Sequence, residues 1–412
     1  MNVPPIPLPI DRDIFWPPAD ELLEAADAIR AHLGKDWPAP SGRLRLCLSA
    51  APEFGPGDVR VFIDAKSHPD EERLWLAAGA AVIEAAPERV ELRVGTDVRA
   101  FSGERSDDWL AALAAFAACD FSLHDALTLA LAWRPNPSPS VATPAPVPAS
   151  IPTATATPTW IPTSISSSVA TPAPLWPIDL STFPAIEGLR PFKHAFPPCP
   201  LDLGLYPVVP TADWVERLLE LGVRTVQLRS KSTDGAFLDR EIAHAVKVAR
   251  ACDARLFIND HWQRAIDAGA YGVHLGQEDL QTADLDAIAT AGLRLGLSTH
   301  GFYEMRVALH FRPSYLAMGA VFPTTTKQMP TAPQGLVRLA HYVALLRGKV
   351  PLVAIGGIDA SVIDAVLATN VGSAAVVRAV TEAVDLRGAV ESLQARFTSA
   401  PQPDSQCSVS VR

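Results

Sequence analysis

From Gly204 onward, short apolar runs alternate with longer amphipathic stretches. The runs begin near Leu205, Thr225, Arg255, Gly272, Arg294, Tyr315, Pro351 and Ser373. Between them, residues 213–221, 235–251, 262–268, 284–290, 303–310, 336–346, 361–368 and 386–397 show the spacing of helices with one apolar face. Strand and helix in strict alternation predict an α/β fold, a (β/α)8 TIM barrel over residues 201–400. That is an argument about fold, and it names no reaction.

Residues 1–134 read as a separate, small α/β module. After a proline-rich lead-in, residues 21–33 form an amphipathic helix with Leu22, Leu23, Ala26, Ile29 and Leu33 on one face. Strands are predicted at 43–49, 59–64 and 89–94, and helices at 75–85, 109–118 and 124–133. The module has no glycine-rich phosphate loop, and His32, His68 and His124 stand isolated, so no function is assigned to it.

Residues 135–200 read as a linker. Residues 135–178 carry no charged side chain, and 17 of the 38 prolines fall between Pro135 and Pro200. Such a stretch offers too little apolar area to offset chain entropy, which predicts an extended, partly polyproline segment without stable order. The alternative is that Trp160, Ile161 and Trp176 dock on a domain surface. Residues 401–412 are expected to be a flexible tail.

Barrel active sites lie at the carboxyl ends of the strands, and the unusual residues of this chain fall there. Along the second strand, Gln227, Arg229 and Lys231 share one face while Val226 and Leu228 share the other. Two cations in a barrel mouth, with no anion, would cost several kcal/mol, and a bound polyphosphate would remove that cost. The third strand ends in Asn259 and Asp260, and the loop after the fourth carries Asp279. As hard oxygen donors these carboxylates suit Mg2+, although each alone would serve equally well as a helix cap. The fifth strand ends Ser298-Thr299-His300, and the sixth runs into Thr324-Thr325-Thr326-Lys327. The seventh ends Ile355-Gly356-Gly357-Ile358 ahead of a helix, which suits backbone binding of a phosphate. Two anion sites in one mouth suggest the joining of two phosphorylated molecules, with electrostatic stabilisation of a departing pyrophosphate.

Composition narrows the surroundings. A net charge of −10 and a pI near 5.5 argue against a nucleic-acid surface. The longest apolar runs, such as 110–119, fall short of the ~20 residues that span a bilayer, so no membrane partner is expected. The amino terminus lacks the basic-then-apolar order of a signal peptide. Five scattered cysteines, never in a CxxC pair, argue against structural zinc and a disulfide framework, and a cytoplasmic setting is expected.

Six motifs, in order, carry a resemblance. Gln-Leu-Arg-Ser-Lys (227–231), Phe-Ile-Asn-Asp (257–260), Gly-Val-His-Leu-Gly-Gln-Glu-Asp (272–279), Gly-Leu-Ser-Thr-His (296–300), Val-Phe-Pro-Thr-Thr-Thr-Lys (321–327) and Val-Ala-Ile-Gly-Gly-Ile (353–358) resemble thiamine-phosphate synthase. The resemblance covers about residues 204–397 and none of residues 1–200. It implies a Mg2+-dependent transferase that condenses hydroxymethylpyrimidine diphosphate with a thiazole phosphate, or its carboxylated form, releasing pyrophosphate. It implies that Asp260 and Asp279 bind Mg2+. Gln227, Leu228, Arg229, Ser230, Lys231, Asn259, Ser298 and Lys327 would hold the pyrimidine diphosphate, with Arg229, Lys231, Ser298 and Lys327 as the catalytic groups. Thr324, Thr325, Thr326, Gly357, Val377 and Arg378 would receive the thiazole phosphate. The expected partners are these two small molecules, with self-association into a homo-oligomer allowed for.

Arg378 stands where the family commonly has serine. It would either add a charge-assisted contact to the thiazole phosphate or crowd the pocket. Two competing readings are a sister barrel that tautomerises the thiazole and a non-catalytic, thiamine-phosphate-binding regulator. In the module, Asp125-Ala-Leu-Thr-Leu-Ala resembles the closing helix of the pyrimidine kinases of thiamin synthesis, and no activity is assigned to it.

Overall fold

The structure, a computed structural model, describes residues 10–34, 37–134, 176–324 and 331–397. Its amino-terminal part is a seven-stranded sheet backed by helices. In chain order these are β1 (Phe15–Trp16), α1 (Asp20–His32), β2 (Arg45–Cys47), β3 (Asp58–Ile63), α2 (Pro69–Ala77), β4 (Ala81–Ala86), β5 (Arg89–Val94), β6 (Asp97–Ser102), α3 (Trp109–Ala117), α4 (Leu123–Ala132) and β7 (Ala185–Ile186). The strands lie in sequence order, parallel from β1 to β4 and antiparallel from β4 to β7.

One predicted helix is different. Residues 75–85 divide into the end of α2 and the strand β4. The run Ala-Ala-Val-Ile-Glu-Ala is rich in good helix formers, but Gly79 adopts φ +80 and stops α2. Val82 and Ile83 then become fully buried between β3 and β5, and that pairing outweighs local propensity.

Residues 176–200 were assigned to the linker by composition, yet their few aromatic side chains bury. Trp176, Phe183 and Phe196 are 4%, 5% and 7% exposed, and β7 extends the module's sheet by pairing with β6. Trp160 and Ile161 lie outside the described residues. So do residues 401–412.

The carboxyl-terminal part follows the predicted alternation: β8 (Gly204–Val209), α5 (Ala212–Glu220), β9 (Thr225–Leu228), α6 (Gly235–Ala251), β10 (Arg255–Asn259), α7 (Trp262–Ala268), β11 (Gly272–Leu275), α8 (Leu285–Thr290), β12 (Arg294–Thr299), α9 (Phe302–His310), β13 (Tyr315–Met318), α10 (Gly335–Leu346), β14 (Leu352–Ile355), α11 (Ile363–Leu367), β15 (Ser373–Val376), α12 (Arg378–Thr381) and α13 (Leu386–Gln394). The eight strands close into a parallel barrel in which β15 pairs with β8. Strand alternation sorts the side chains. Tyr206, Val208, Phe257, Tyr315, Ala317, Val353 and Ala375 fill the interior, while Val226 and Leu228 face the helices.

Module and barrel share one apolar core, which runs from Trp37 and Phe116 to Phe302 and Tyr342. Every residue of α3 is buried, as expected of a helix that is apolar all round. It packs between α1 and α4, and α4 rests on α9 of the barrel. Among the described residues no helix is long and apolar enough to cross a membrane. Cys47, Cys119 and Cys199 are free thiols.

Candidate active site

At the carboxyl ends of the strands lies a cavity of about 630 Å³. Its floor is a chain of polar groups inside the barrel. Gln227 Nε2 donates to Tyr206 Oη at 3.3 Å, and Tyr206 and Tyr315 meet hydroxyl to hydroxyl at 2.8 Å. His274 Nδ1 lies 2.7 Å from Tyr315 Oη, and its Nε2 lies 2.8 Å from Ser298 Oγ. Gln227 Nε2 can only donate, and a phenol that accepts from it still has its own proton to pass on. In the direction this allows, Tyr206 donates to Tyr315, Tyr315 to His274 Nδ1, and His274 Nε2–H to Ser298. Burial pushes both tyrosine pKa values up, so each phenol keeps the proton it passes along. Ser298, with its oxygen already accepting, has its own proton to offer into the cavity.

Arg229 continues the β9 alternation one residue past the strand and lines the cavity. Its Nε donates to Asn259 Oδ1 at 2.9 Å, and Asn259 Nδ2 donates to Asp260 Oδ1 at 2.6 Å. Asp260 takes φ +62, in the left-handed region that aspartate tolerates better than most residues, and this turns the chain at the end of β10. Its carboxylate is thereby brought to the cavity wall. Asp279 follows β11 in a short 3-10 turn and accepts from the Gly276 amide at 2.8 Å. Glu278, its neighbour, lines the cavity; a Cβ at Gly276 would lie 2.7 Å from the Glu278 carboxylate.

The opposite wall is built from backbone. Gly356 (φ +100) and Gly357 (φ +67) follow β14. A Cβ at Gly357 would sit 2.6 Å from Pro323 O, and one at Gly356 would meet Ala320 at 2.5 Å. Only glycine lets these loops close, which Val321 N to Ile355 O (2.9 Å) and Phe322 N to Gly356 O (3.0 Å) then do. Thr324, Val377 and Arg378 complete this side with Asp359. Hydrogen bonds from Ser361, with the positive charge of Arg378 adding to them, hold the Asp359 carboxyl below the usual carboxylate range.

Of the residues singled out in the sequence, Gln227, Arg229, Asn259, Asp260, Ser298, Thr324, Gly357, Val377 and Arg378 line this one cavity. Leu228 points into the outer core, Lys231 is exposed, and Ser230, Lys231 and Asp279 stand outside the lining. Thr325, Thr326 and Lys327 lie outside the described residues. Sequence reasoning gave no role to His274, Tyr206 or Tyr315. The available signal was parity, since His274 occupies the inward position between Val273 and Leu275.

Comparison with known proteins decides the family. Residues 205–380 match the family model described as thiamine monophosphate synthase. The thiamine-phosphate synthase of Neisseria meningitidis serogroup A (strain Z2491) is 60% identical over 200 residues, covering 48% of this chain and 97% of that protein. The chain belongs to the thiamine-phosphate synthase family. The thiamine-phosphate synthase of Klebsiella pneumoniae is 58% identical over 204 residues, covering 50% of this chain and 96% of that protein. A solved thiamine phosphate pyrophosphorylase from Pyrococcus furiosus aligns at 31% identity with a TM-score of 0.42, over 47% of this chain and 95% of that one. Family membership makes the chain an enzyme of the transferase class and rests on its carboxyl-terminal barrel.

Proposed function

We propose that the barrel joins 4-amino-2-methyl-5-(diphosphooxymethyl)pyrimidine to 4-methyl-5-(2-phosphoethyl)thiazole, or its carboxylated tautomer, giving thiamine phosphate and pyrophosphate. The observation that carries this reading is the meeting of Arg229, Asn259, Asp260, Ser298 and Gly357 around one cavity, in a barrel of this family.

The donor set fits Mg2+. Among the described residues no three His, Cys, Asp or Glu side chains form a cluster that could hold a metal ion. Mg2+ requires less, since one or two carboxylates and the substrate's own phosphates suffice. Asp260 on the cavity wall and Asp279 in the adjoining turn would hold it. When bound, the ion neutralises charge on a diphosphate leaving group.

In this reading Arg229 and Asn259 bind the diphosphate, with Lys231 at the rim and Lys327 completing the set implied by the family resemblance. The carbon–oxygen bond breaks with the electron pair leaving on pyrophosphate. The thiazole nitrogen then supplies its lone pair to the pyrimidine methylene carbon. No proton has to be removed from that nitrogen, so the step asks no general base of the site. Gln227 and Ser298 orient the pyrimidine, and Ser298 donates the proton that the chain from Gln227 leaves available. The Gly356-Gly357 backbone, Thr324 and Arg378 receive the thiazole phosphate.

The test is turnover by the full chain with both substrates and Mg2+, following thiamine phosphate and pyrophosphate together. Absence of pyrophosphate release would overturn the proposal, and conversion of the thiazole alone would point to a tautomerase.

A further inference from the structure

Helix α9 begins three residues after Ser298 at Gly301-Phe302, and its N-cap residue, glycine, has no side chain with which to cap it. The first turn of a helix leaves backbone N–H groups without partners inside the helix. Here the missing acceptor comes from the other part of the molecule. Asp125, in the first turn of α4, accepts from Tyr303 N through Oδ1 at 2.9 Å. Asp125 is 8% exposed. The fit is mutual, because a Cβ at residue 301 would lie 2.2 Å from Asp125 Oδ2. Glycine at 301 therefore leaves the space that the carboxylate fills.

The same helical turn is tied to the cavity. Glu304 Oε2 accepts from both His300 N and His300 Nδ1 at 2.8 Å. His300, Thr299 and Ser298 all line the cavity. A continuous path thus runs from Asp125 through the first turn of α9 to the strand end that carries Ser298. The module grips the next barrel helix as well. Arg338 of α10 is 6% exposed, donates to the backbone oxygens of Cys119 and Asp120, and lies over the Phe121 ring at 4.4 Å.

We propose that Asp125 is a positioning residue for the barrel's reaction: it caps α9 from outside the barrel and holds the Ser298–Gly301 strand end against the cavity. The inference rests on the reading of that cavity as the condensation site. It makes the amino-terminal module a working part of the enzyme.

The experiment compares full-length Asp125→Ala and Asp125→Asn with wild type. Asparagine keeps an acceptor oxygen in place and alanine does not. In Asp125→Ala the KM for the pyrimidine diphosphate is expected to rise, by about fivefold where the free energy of one lost cap (~1 kcal/mol) is expressed in substrate binding. The KM for the thiazole phosphate stays within about twofold, because its subsite lies on the other wall. Asp125→Asn restores the first KM. Amide hydrogen exchange gives a readout independent of turnover: Tyr303 N–H is protected in wild type and in Asp125→Asn, and loses protection in Asp125→Ala. Rapid exchange at Tyr303 in the wild-type chain would overturn the inference whatever the variants do. So would an Asp125→Ala enzyme whose two KM values both match wild type, or an Asp125→Asn enzyme impaired as much as the alanine variant. A wild-type chain with no turnover but a protected Tyr303 amide would refute the condensation reading and leave the cap standing.

Discussion

His274 Nε2 stands 2.8 Å from Ser298 Oγ, at the end of a chain of donors that starts at Gln227 on the far side of the barrel. The contact joins β11 to β12 and, with Nε2 as the donor, directs the serine proton toward the cavity. Replacing His274 by phenylalanine removes that direction while filling most of the ring's space. His274→Phe and Ser298→Ala are each expected to lower kcat/KM by about tenfold or more, the scale of a buried hydrogen bond. Their double variant should fall well short of the product of the two losses, because both delete one linked function. Fully additive losses would separate His274 from Ser298.

Asp260 offers a cleaner test than an alanine scan suggests. At φ +62 an alanine would carry backbone strain, whereas asparagine tolerates the conformation and keeps an acceptor for Asn259. Asp260→Asn is expected to melt close to wild type yet to lose about a hundredfold or more in pyrophosphate release, with a higher Mg2+ requirement. Unchanged Mg2+ dependence in steady-state assays would remove Asp260 from the metal site.

Arg378 is exposed at the cavity edge, near enough to Asp359 for its charge to act there. Arg378→Ser is expected to raise the KM for the thiazole phosphate about three- to tenfold and to leave kcat nearly unchanged, as loss of one charge-assisted contact would. An unchanged thiazole KM would deny the side chain any part in binding.

A buried carboxyl and a partly buried imidazole at the module–barrel boundary are shifted in opposite senses. Burial raises the Asp125 carboxyl from 3.8 to about 6, and burial lowers the His341 imidazole from 6.5 to about 4. Between pH 4 and 6 the folded chain holds a proton on Asp125 that the unfolded chain has released, so this group lowers stability as pH rises. His341 does the opposite: the unfolded chain holds the extra proton, and stability rises with pH. Relative to wild type, Asp125→Asn should therefore gain melting temperature as pH rises from 4 to 6. His341→Phe should show its relative gain at the acid end. Melting curves of the three proteins across this range test both signs, and parallel curves would refute the assignment.

The barrel was legible because its signal is repeated eight times and seven of the eight strand ends carry a polar or glycine marker. Arg229 and Asn259 could be placed by counting alternate residues, since a strand at this depth has one face toward the cavity and one toward the helices. Strand β4 was not legible, because alanine-rich residues beside Gly79 look helical until β3 and β5 bury them. Trp176 illustrates a second limit. Composition averaged it into a proline-rich stretch, but one indole stacked on Trp37 and on His341, with ring centroids 5.2 and 3.9 Å away, fixes its position. The contact between Asp125 and Tyr303 joins residues 178 apart, and no local pattern announces it. Its only trace in the sequence was a glycine, Gly301, where a helix would ordinarily begin with its own polar cap.

Strand β7 lies on the far side of residues 135–175 from the rest of its sheet, and Arg134 reaches across that gap. Its guanidinium donates to Glu104 O at 2.8 Å and lies 3.5 Å from Thr182 O. Arg134 thus links the end of α4 to the segment just ahead of β7. The shared apolar core and the pairing of β7 with β6 are expected to hold the two parts together without covalent continuity between Arg134 and Trp176. A protease nick there, or two genes split at that position, should still yield a single body that migrates as one on a native gel and as two under denaturation.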